Sequence, residues 1–261
     1  MKDGERDERE STSHGNVTAA KLLARNGKAS MKHRAVVFDL WGTLVPQFDY
    51  AEFAAALNAM ADAVGVDRGT FHQAWYDLWR ERATGFFPTI QATLEHICAA
   101  NGGSPSEEQL TQAVRIRYAF SRAVLVGRPR PDAVATLKAL RARGLRLGLV
   151  SNCSAEVPDI WHETPFAPLV DIPVFSCTVG IKKPDQRIYR MACDRLGVAP
   201  EECVYVGDGF DQELQGAKAV GMWPILMAPP NERPPDTIEW EGDTWRGDRI
   251  ETLAQVTRLV Q

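Results

Sequence analysis

The sequence is short of most features that would take it out of the ordinary globular class. Its cysteines are few and odd in number: Cys98, Cys153, Cys177, Cys193 and Cys203 are scattered, without the close pairing of a zinc site or a disulfide scaffold. They read as reduced thiols of a cytoplasmic protein. No apolar run approaches the roughly 18 residues of a membrane helix. The opening stretch MKDGERDERE is too acidic for a secretory or transit peptide, so no export is expected. Neither sign of charge dominates, since 30 Lys and Arg face 34 Asp and Glu for a net charge of -4. Nothing global therefore draws the chain to nucleic acid or to an anionic membrane, and a phosphate-bearing partner has to be attracted locally. Internal repeats are also missing.

What is there is a chain of 261 residues, 44% apolar and 25% charged, long enough for a core domain with a smaller one appended. Residues 1–30 are polar and charge-rich, and they read as a disordered N-terminal extension. The fold is predicted to begin at residue 31. Apolar runs at 35–38 (AVVF), 145–152 (LRLGLVSN), 203–208 (CVYVGD) and 223–228 (WPILMA) have the pattern of parallel strands buried on both faces. Helical patterns at 131–144, 184–197 and 213–221 separate the later ones, and RIETLAQVTRLV at 249–260 reads as a closing amphipathic helix. Strand and helix in alternation predict an α/β fold, a doubly wound parallel sheet.

Residues 47–130 break that alternation. They carry four stretches of 3.6-residue periodicity and no comparable strand, which predicts a helical bundle inserted after the first strand. The core is then expected to comprise residues 31–46 and 131–261. An insertion at that point leaves the carboxyl edge of the sheet, where open α/β folds keep their ligands, and can act as a lid.

Four short elements lie at the ends of predicted strands or in loops after them. Asp39 follows the first strand and leads into LWGTL; Ser151-Asn152 closes the second; Lys183-Pro184 lies in VGIKKPD; Gly207-Asp208-Gly209 closes the third. Alone, each is more often a turn or cap than a site. Together, in this order and with an insertion after the first, they resemble the haloacid dehalogenase-like superfamily of hydrolases over residues 35 to 228. The resemblance implies a Rossmann-like core with a helical cap. It also implies Asp39 as nucleophile, Ser151 and Lys183 as holders of the transferring group, and Mg2+ bound by Asp39, Asp208 and the backbone carbonyl of Trp41. Lys182 competes for the lysine role, but Lys183 directly precedes the proline as the family's lysine does. Asn152 and Thr43 are expected to contact substrate or shape the nucleophile loop. The family's second acid stands four residues after the first, whereas here Glu213 stands five after Asp208 and Asp211 three after. Glu213 is the expected counterpart, direct or through water, with Asp211 the alternative; each could equally be a helix N-terminal acid.

Trp41 departs from the phosphatase pattern, which has a second Asp two residues after the nucleophile as general acid and base. An indole offers no such chemistry near neutral pH. The expected activity is an Mg2+-dependent phosphatase that passes through an aspartyl-phosphate. Its substrate would be a small phosphorylated metabolite whose leaving group needs little protonation, or one protonated from the cap by His72 or Glu81. The alternatives are an enzyme like the 2-haloacid dehalogenases, whose halide leaves without a proton, and a binding or regulatory protein on the same scaffold. The cap aromatics Trp75, Tyr76, Trp79, Phe86 and Phe87 read as packing, with Arg80 or Arg82 able to meet an anion.

Overall fold

The computed structural model describes residues 33–47, 49–230, 232 and 240–260. The extension expected over residues 1–30 lies outside the described residues. Six strands form one all-parallel sheet: β1 (Ala35–Phe38), β2 (Arg146–Ser151), β3 (Ile172–Phe175), β4 (Cys203–Gly207), β5 (Trp223–Met227) and β6 (Arg249–Ile250). Their order across the sheet is β3-β2-β1-β4-β5-β6. β1 is thus central, and its fully buried AVVF run pairs with Arg146 to Leu149 on one side and Cys203 to Val206 on the other. Chain direction across the sheet reverses at β1, so a crevice opens at its carboxyl end.

Two strands were not anticipated from the sequence. β3 holds only four residues, one of them Pro173, which lacks an N–H and is tolerated because β3 has a single neighbour at the sheet edge. β6 replaces the start of the expected closing helix. Arg249 and Ile250 pair with Leu226 and Met227, and the chain turns helical only over Leu253–Gln255 and Val256–Leu259, after Thr252 and Gln255 form a capping box. The extra backbone ladder and the cap together outweigh a continuous amphipathic helix there.

Between β1 and β2 run five helices, α1 (Tyr50–Val64), α2 (Arg68–Asp77), α3 (Trp79–Ala83), α4 (Ile90–Ala100) and α5 (Glu107–Leu125). They are followed by α6 (Ala133–Ala142), which leads back into the sheet. Asp49 caps α1 through the amides of Ala51 and Glu52, and Ser106 with Gln109 forms a capping box on α5. The pattern over residues 70–85 is broken into two helices at Leu78, where the Arg82 guanidinium donates to the carbonyl of Trp75. The five helices enclose their own apolar cluster around Phe53, Leu57, Met60, Phe71, Trp75 and Leu94, separate from the cluster on the sheet. Three polar contacts fasten α5 to α7 (Glu156–Trp161) and the turn after it: Arg117 to Glu156, Tyr118 to Asp159 and Arg122 to Glu163.

The remaining helices α8 (Ser176–Val179), α9 (Gln186–Leu196), α10 (Glu213–Ala219), α11 (Glu241–Thr244) and α12 (Val256–Leu259) complete the chain. All five cysteines are free thiols. Among the described residues, no helix is long and apolar enough to cross a membrane.

Candidate active site

The first residue after β1 is Asp39, only 4% exposed, its N–H bonded to the carbonyl of Val206 on β4 at 2.8 Å. Beyond it the chain curls back, and the amides of Thr43, Leu44 and Val45 all donate to the carbonyl of Leu40. Gly42 makes this curl feasible: its φ is 73°, and a Cβ there would stand 1.8 Å from a carboxylate oxygen of Asp208. Arg130, buried where the insertion returns to α6, donates to the carbonyls of Gly42 at 2.7 Å and Thr43 at 2.8 Å and pairs with Glu232. A side chain 88 residues further along the chain thus holds the loop after Asp39.

Lys183 reaches the same point from the loop before α9. Its ammonium donates to Asp39 Oδ1 at 2.5 Å, to Glu213 Oε2 at 2.5 Å and to the Tyr205 hydroxyl at 3.1 Å. The loop itself is held by Asn152, whose Oδ1 accepts the Lys183 N–H at 2.8 Å while its Nδ2 donates to the Lys183 carbonyl at 3.2 Å. Lys182 turns away to Asp211 at 3.2 Å, so the structure brings Lys183 and not Lys182 to Asp39.

Glu213 is fully buried at the start of α10. Its Oε1 accepts the Gly209 N–H at 2.9 Å, and its Oε2 also takes the Tyr205 hydroxyl at 2.6 Å. Gly207 leaves room for it, since a Cβ there would come within 2.2 Å of Oε1. The five-residue spacing from Asp208 is absorbed by two consecutive left-handed residues, Asp211 and Gln212, both at φ 54°. Asp211 points elsewhere, its carboxylate accepting from Asn152 Nδ2 at 2.6 Å.

Oxygens of Asp39, Asp208 and Glu213 all lie within 4.8 Å of one another, the one such acidic group among the described residues. Three buried carboxyl groups face one ammonium, and full ionisation would leave two negative charges without compensation among the described residues. Burial pushes Asp39 up to about 7 against the attraction of Lys183, with Glu213 adding to the rise. Burial, then the Glu213 and Asp39 charges, hold Asp208 well above the usual carboxylate range. Lys183 is opposed by its own burial, yet Asp39 and Glu213 outweigh it and raise its ammonium above the ordinary value. The donor set therefore fits a hard divalent cation, which would neutralise this excess. Glu213 already serves three donors, so Asp39 and Asp208 are the better placed for direct ligation.

The group opens into a cavity of about 330 Å³ that lies against the helical insertion. Asp39, Trp41, Asn152, Lys183, Asp208 and Glu213 form one end of it. Ser151 and Thr43 are fully buried nearby, and neither hydroxyl has a hydrogen-bond partner among the described residues. Of the insertion residues considered from sequence, Trp75, Tyr76, Trp79 and Arg82 line the cavity, whereas His72, Glu81 and Arg80 are not in its wall. Phe86 is 71% exposed and Phe87 is buried away from it. Trp75 is thus both a core residue of the insertion and a wall of the cavity.

Sequence reasoning missed Tyr205, Arg130, Trp240 and Glu241. Trp240 donates its indole N–H to the Asp208 carbonyl at 2.5 Å, and Glu241 caps the amides of Leu214 and Gln215 on α10. Tyr205 could have been found by alternation, because it is the one polar-tipped residue within the buried β4 run. The other three carry no local signal.

The family described as haloacid dehalogenase-like hydrolase matches residues 33–221. The glyceraldehyde 3-phosphate phosphatase of Methanopyrus kandleri is 30% identical over 201 residues, 72% of this chain and 81% of that protein. The (S)-2-haloacid dehalogenase 4A of Burkholderia cepacia is 33% identical over 201 residues, 72% of this chain and 80% of that protein. Among solved structures, the 2-haloacid dehalogenase of Pseudomonas syringae pv. Tomato DC3000 superposes with a TM-score of 0.63 at 22% identity, covering 87% of this chain and 97% of that one. The chain belongs to the haloacid dehalogenase-like hydrolases. It is an enzyme of that family, with relatives named as phosphatases and as dehalogenases alike.

Proposed function

We propose that this hydrolase is a phosphatase that depends on Mg2+ and acts on a small phosphorylated metabolite. The observation that carries this reading is the buried cluster of Asp39, Asp208 and Glu213, which can be fully ionised only against a cation beyond Lys183. A haloacid site has no use for Asp208 and gains nothing from two uncompensated carboxylates. Asp39, Asp208 and the Trp41 carbonyl would hold Mg2+, with Glu213 acting through water, and the metal would supply a counter-charge to the phosphoryl oxygens.

Within the chain, Asp39 attacks phosphorus and becomes the aspartyl-phosphate, splitting one difficult substitution into two. Lys183 neutralises a phosphoryl oxygen, and the buried Ser151 hydroxyl, without a partner among the described residues, donates to another. Asn152 keeps Lys183 in place, and Thr43 lies in the nucleophile loop that Arg130 fixes. The helices of residues 47–130 act as the cap over the core of residues 31–46 and 131–261, and exclude bulk water when substrate binds.

The test is hydrolysis of p-nitrophenyl phosphate and acetyl phosphate with and without Mg2+, beside Asp39→Asn. Turnover that requires the metal and vanishes in the variant is expected. Trp41, in the cavity wall two residues after the nucleophile, favours a second reading as a dehalogenase. Halide release from a 2-haloacid that persists in chelator, with neither phosphate turned over, would establish that reading instead.

A further inference from the structure

The cavity carries chemistry that phosphoryl transfer alone does not use. Trp41, Tyr50, Trp75, Trp79, Phe120 and Phe210 present aromatic surface to it. Two guanidiniums stand in the same wall, Arg82 at 4% and Arg117 at 7% exposure. Arg82 lies 3.9 Å above the ring of Trp75 and donates to that residue's carbonyl, but it makes no ion pair among the described residues. Arg117 pairs with Glu156 at 2.5 Å, and the same Glu156 oxygen accepts from Ser121 at 3.2 Å. Nε of Arg82, with Nε and Nη1 of Arg117, have no acceptor among the described residues. Two buried cations thus share Glu156 in this wall; Glu81, outside the wall, also attracts Arg82 but makes no ion pair with it. Burial and then the Arg117 charge both disfavour the Arg82 cation, the condition that an added anion relieves. The other Glu156 oxygen is likewise unpartnered and repels a second negative charge, so the wall complements one anionic group and not two.

The reacting end constrains the same ligand. Trp41 provides no acid, so the leaving oxygen has to depart as an anion. A phenol, with a pKa of about 10 like that of tyrosine, does this far more readily than an aliphatic alcohol. We propose that the substrate is an aryl phosphate whose ring bears a single carboxylate, the ring packed among the aromatic side chains and the carboxylate held by Arg82 with Arg117. This rests on the phosphatase reading above. A lone-pair bond forms from Asp39 to phosphorus as the phosphorus–aryl oxygen bond breaks. Its electron pair leaves with the phenoxide, which takes a proton from solvent. Water then displaces Asp39 from phosphorus, giving inorganic phosphate and returning a proton to solvent. A cavity of about 330 Å³ suits one substituted ring with its phosphate and is small for a dinucleotide.

The test separates recognition from turnover by using the Asp39→Asn protein in Mg2+ and titrating it calorimetrically with para-carboxyphenyl phosphate, phenyl phosphate and glycerol phosphate. The carboxylated ester is expected to bind about tenfold tighter than phenyl phosphate, as one charge-assisted contact gives. Phenyl phosphate should in turn bind tighter than glycerol phosphate. Adding Arg82→Met should collapse the ratio between the two aryl esters, and Arg82→Lys should restore part of it. Equal affinities for the two aryl esters, a ratio that survives Arg82→Met, or glycerol phosphate binding as tightly as either would overturn the inference. Because the ranking among the three ligands needs no substitution at Arg82, it decides the matter even where Arg82→Met does not fold. Acetyl phosphate turnover by the unsubstituted enzyme reports on the phosphatase reading alone. If it is absent while the ranking holds, that reading falls and the anion-recognising wall stands.

Discussion

Replacing Asp208 by Asn should make the metal-free protein more stable and the metal-loaded protein less so. The carboxylate oxygens of Asp39, Asp208 and Glu213 lie within 4.8 Å of one another. At that distance two like charges repel by about 3.5 kcal/mol at an effective dielectric constant of about 20. Above the pH at which Asp208 ionises, the Asp208→Asn variant would lose two such repulsions and one attraction of similar size to Lys183, a net relief of about 3.5 kcal/mol, while keeping an oxygen for the Phe210 N–H. For a folded unit of this size that corresponds to a rise of about 7–14 °C in Tm. The pH dependence follows from the same charges. Asp39 and Asp208 have folded-state pKa values above their unfolded ones, so their protonated forms favour folding. The stability of the chelated native protein should therefore fall as pH rises from the carboxylate range through about 7, and the advantage of Asp208→Asn should widen over that window. Mg2+ at about a hundred times its Kd should stabilise the native protein by about 2.7 kcal/mol and the variant much less. Thermal unfolding followed by circular dichroism, in chelator and in Mg2+ and at several pH values, measures all of this. A variant that melts lower than the native protein in chelator, yet gains as much from Mg2+, would refute the charge argument.

Gly42→Ala places a side chain at φ 73° and against Asp208, so it should lose about 1–3 kcal/mol of stability together with most of the Mg2+ response, both read from melting curves. Arg130→Met releases the carbonyls of Gly42 and Thr43, and kcat for p-nitrophenyl phosphate should drop about tenfold or more, since a nucleophile misplaced by a fraction of an ångström loses alignment. Arg117→Met breaks the buried pair, leaving Glu156 the Ser121 hydrogen bond and the weaker attraction of Arg82, and should lose about 3 kcal/mol in urea unfolding. Combining it with Glu156→Gln should recover most of that loss, and a double variant no more stable than Arg117→Met would show that the pair matters through packing instead.

What could be read from the chain divides along a physical line. Asp39, Ser151 and Asp208 were legible because each sits at the carboxyl end of a strand whose apolar run is itself visible, so strand and chemistry announce each other, whereas Lys183 follows the unread β3 and was marked only by its place before Pro184. Position in the sheet does the rest, since β1 is central and its neighbours β2 and β4 deliver Ser151 and Asp208 beside it. Arg130 and Trp240 bind carbonyls of the active loops from 88 and 32 residues away, and no local pattern encodes a contact of that separation. The same reasoning explains the aromatic stretch of the insertion. Helical spacing shows that Trp75 is turned inward, but a helix interior and a cavity wall demand the same apolar side chain, and only the tertiary placement tells them apart. Arg82 is the sharper case. In sequence it is one of several charges on a helix face, for which solvent is the default; buried over the Trp75 ring with no ion pair among the described residues, its charge is only partly met by Glu156 and Glu81. A charged residue that the fold buries and leaves partly unanswered therefore carries more information about the ligand than the motifs do. On the proposed function, the motifs specify where phosphorus is attacked, whereas the partly answered charge specifies what is attached to it.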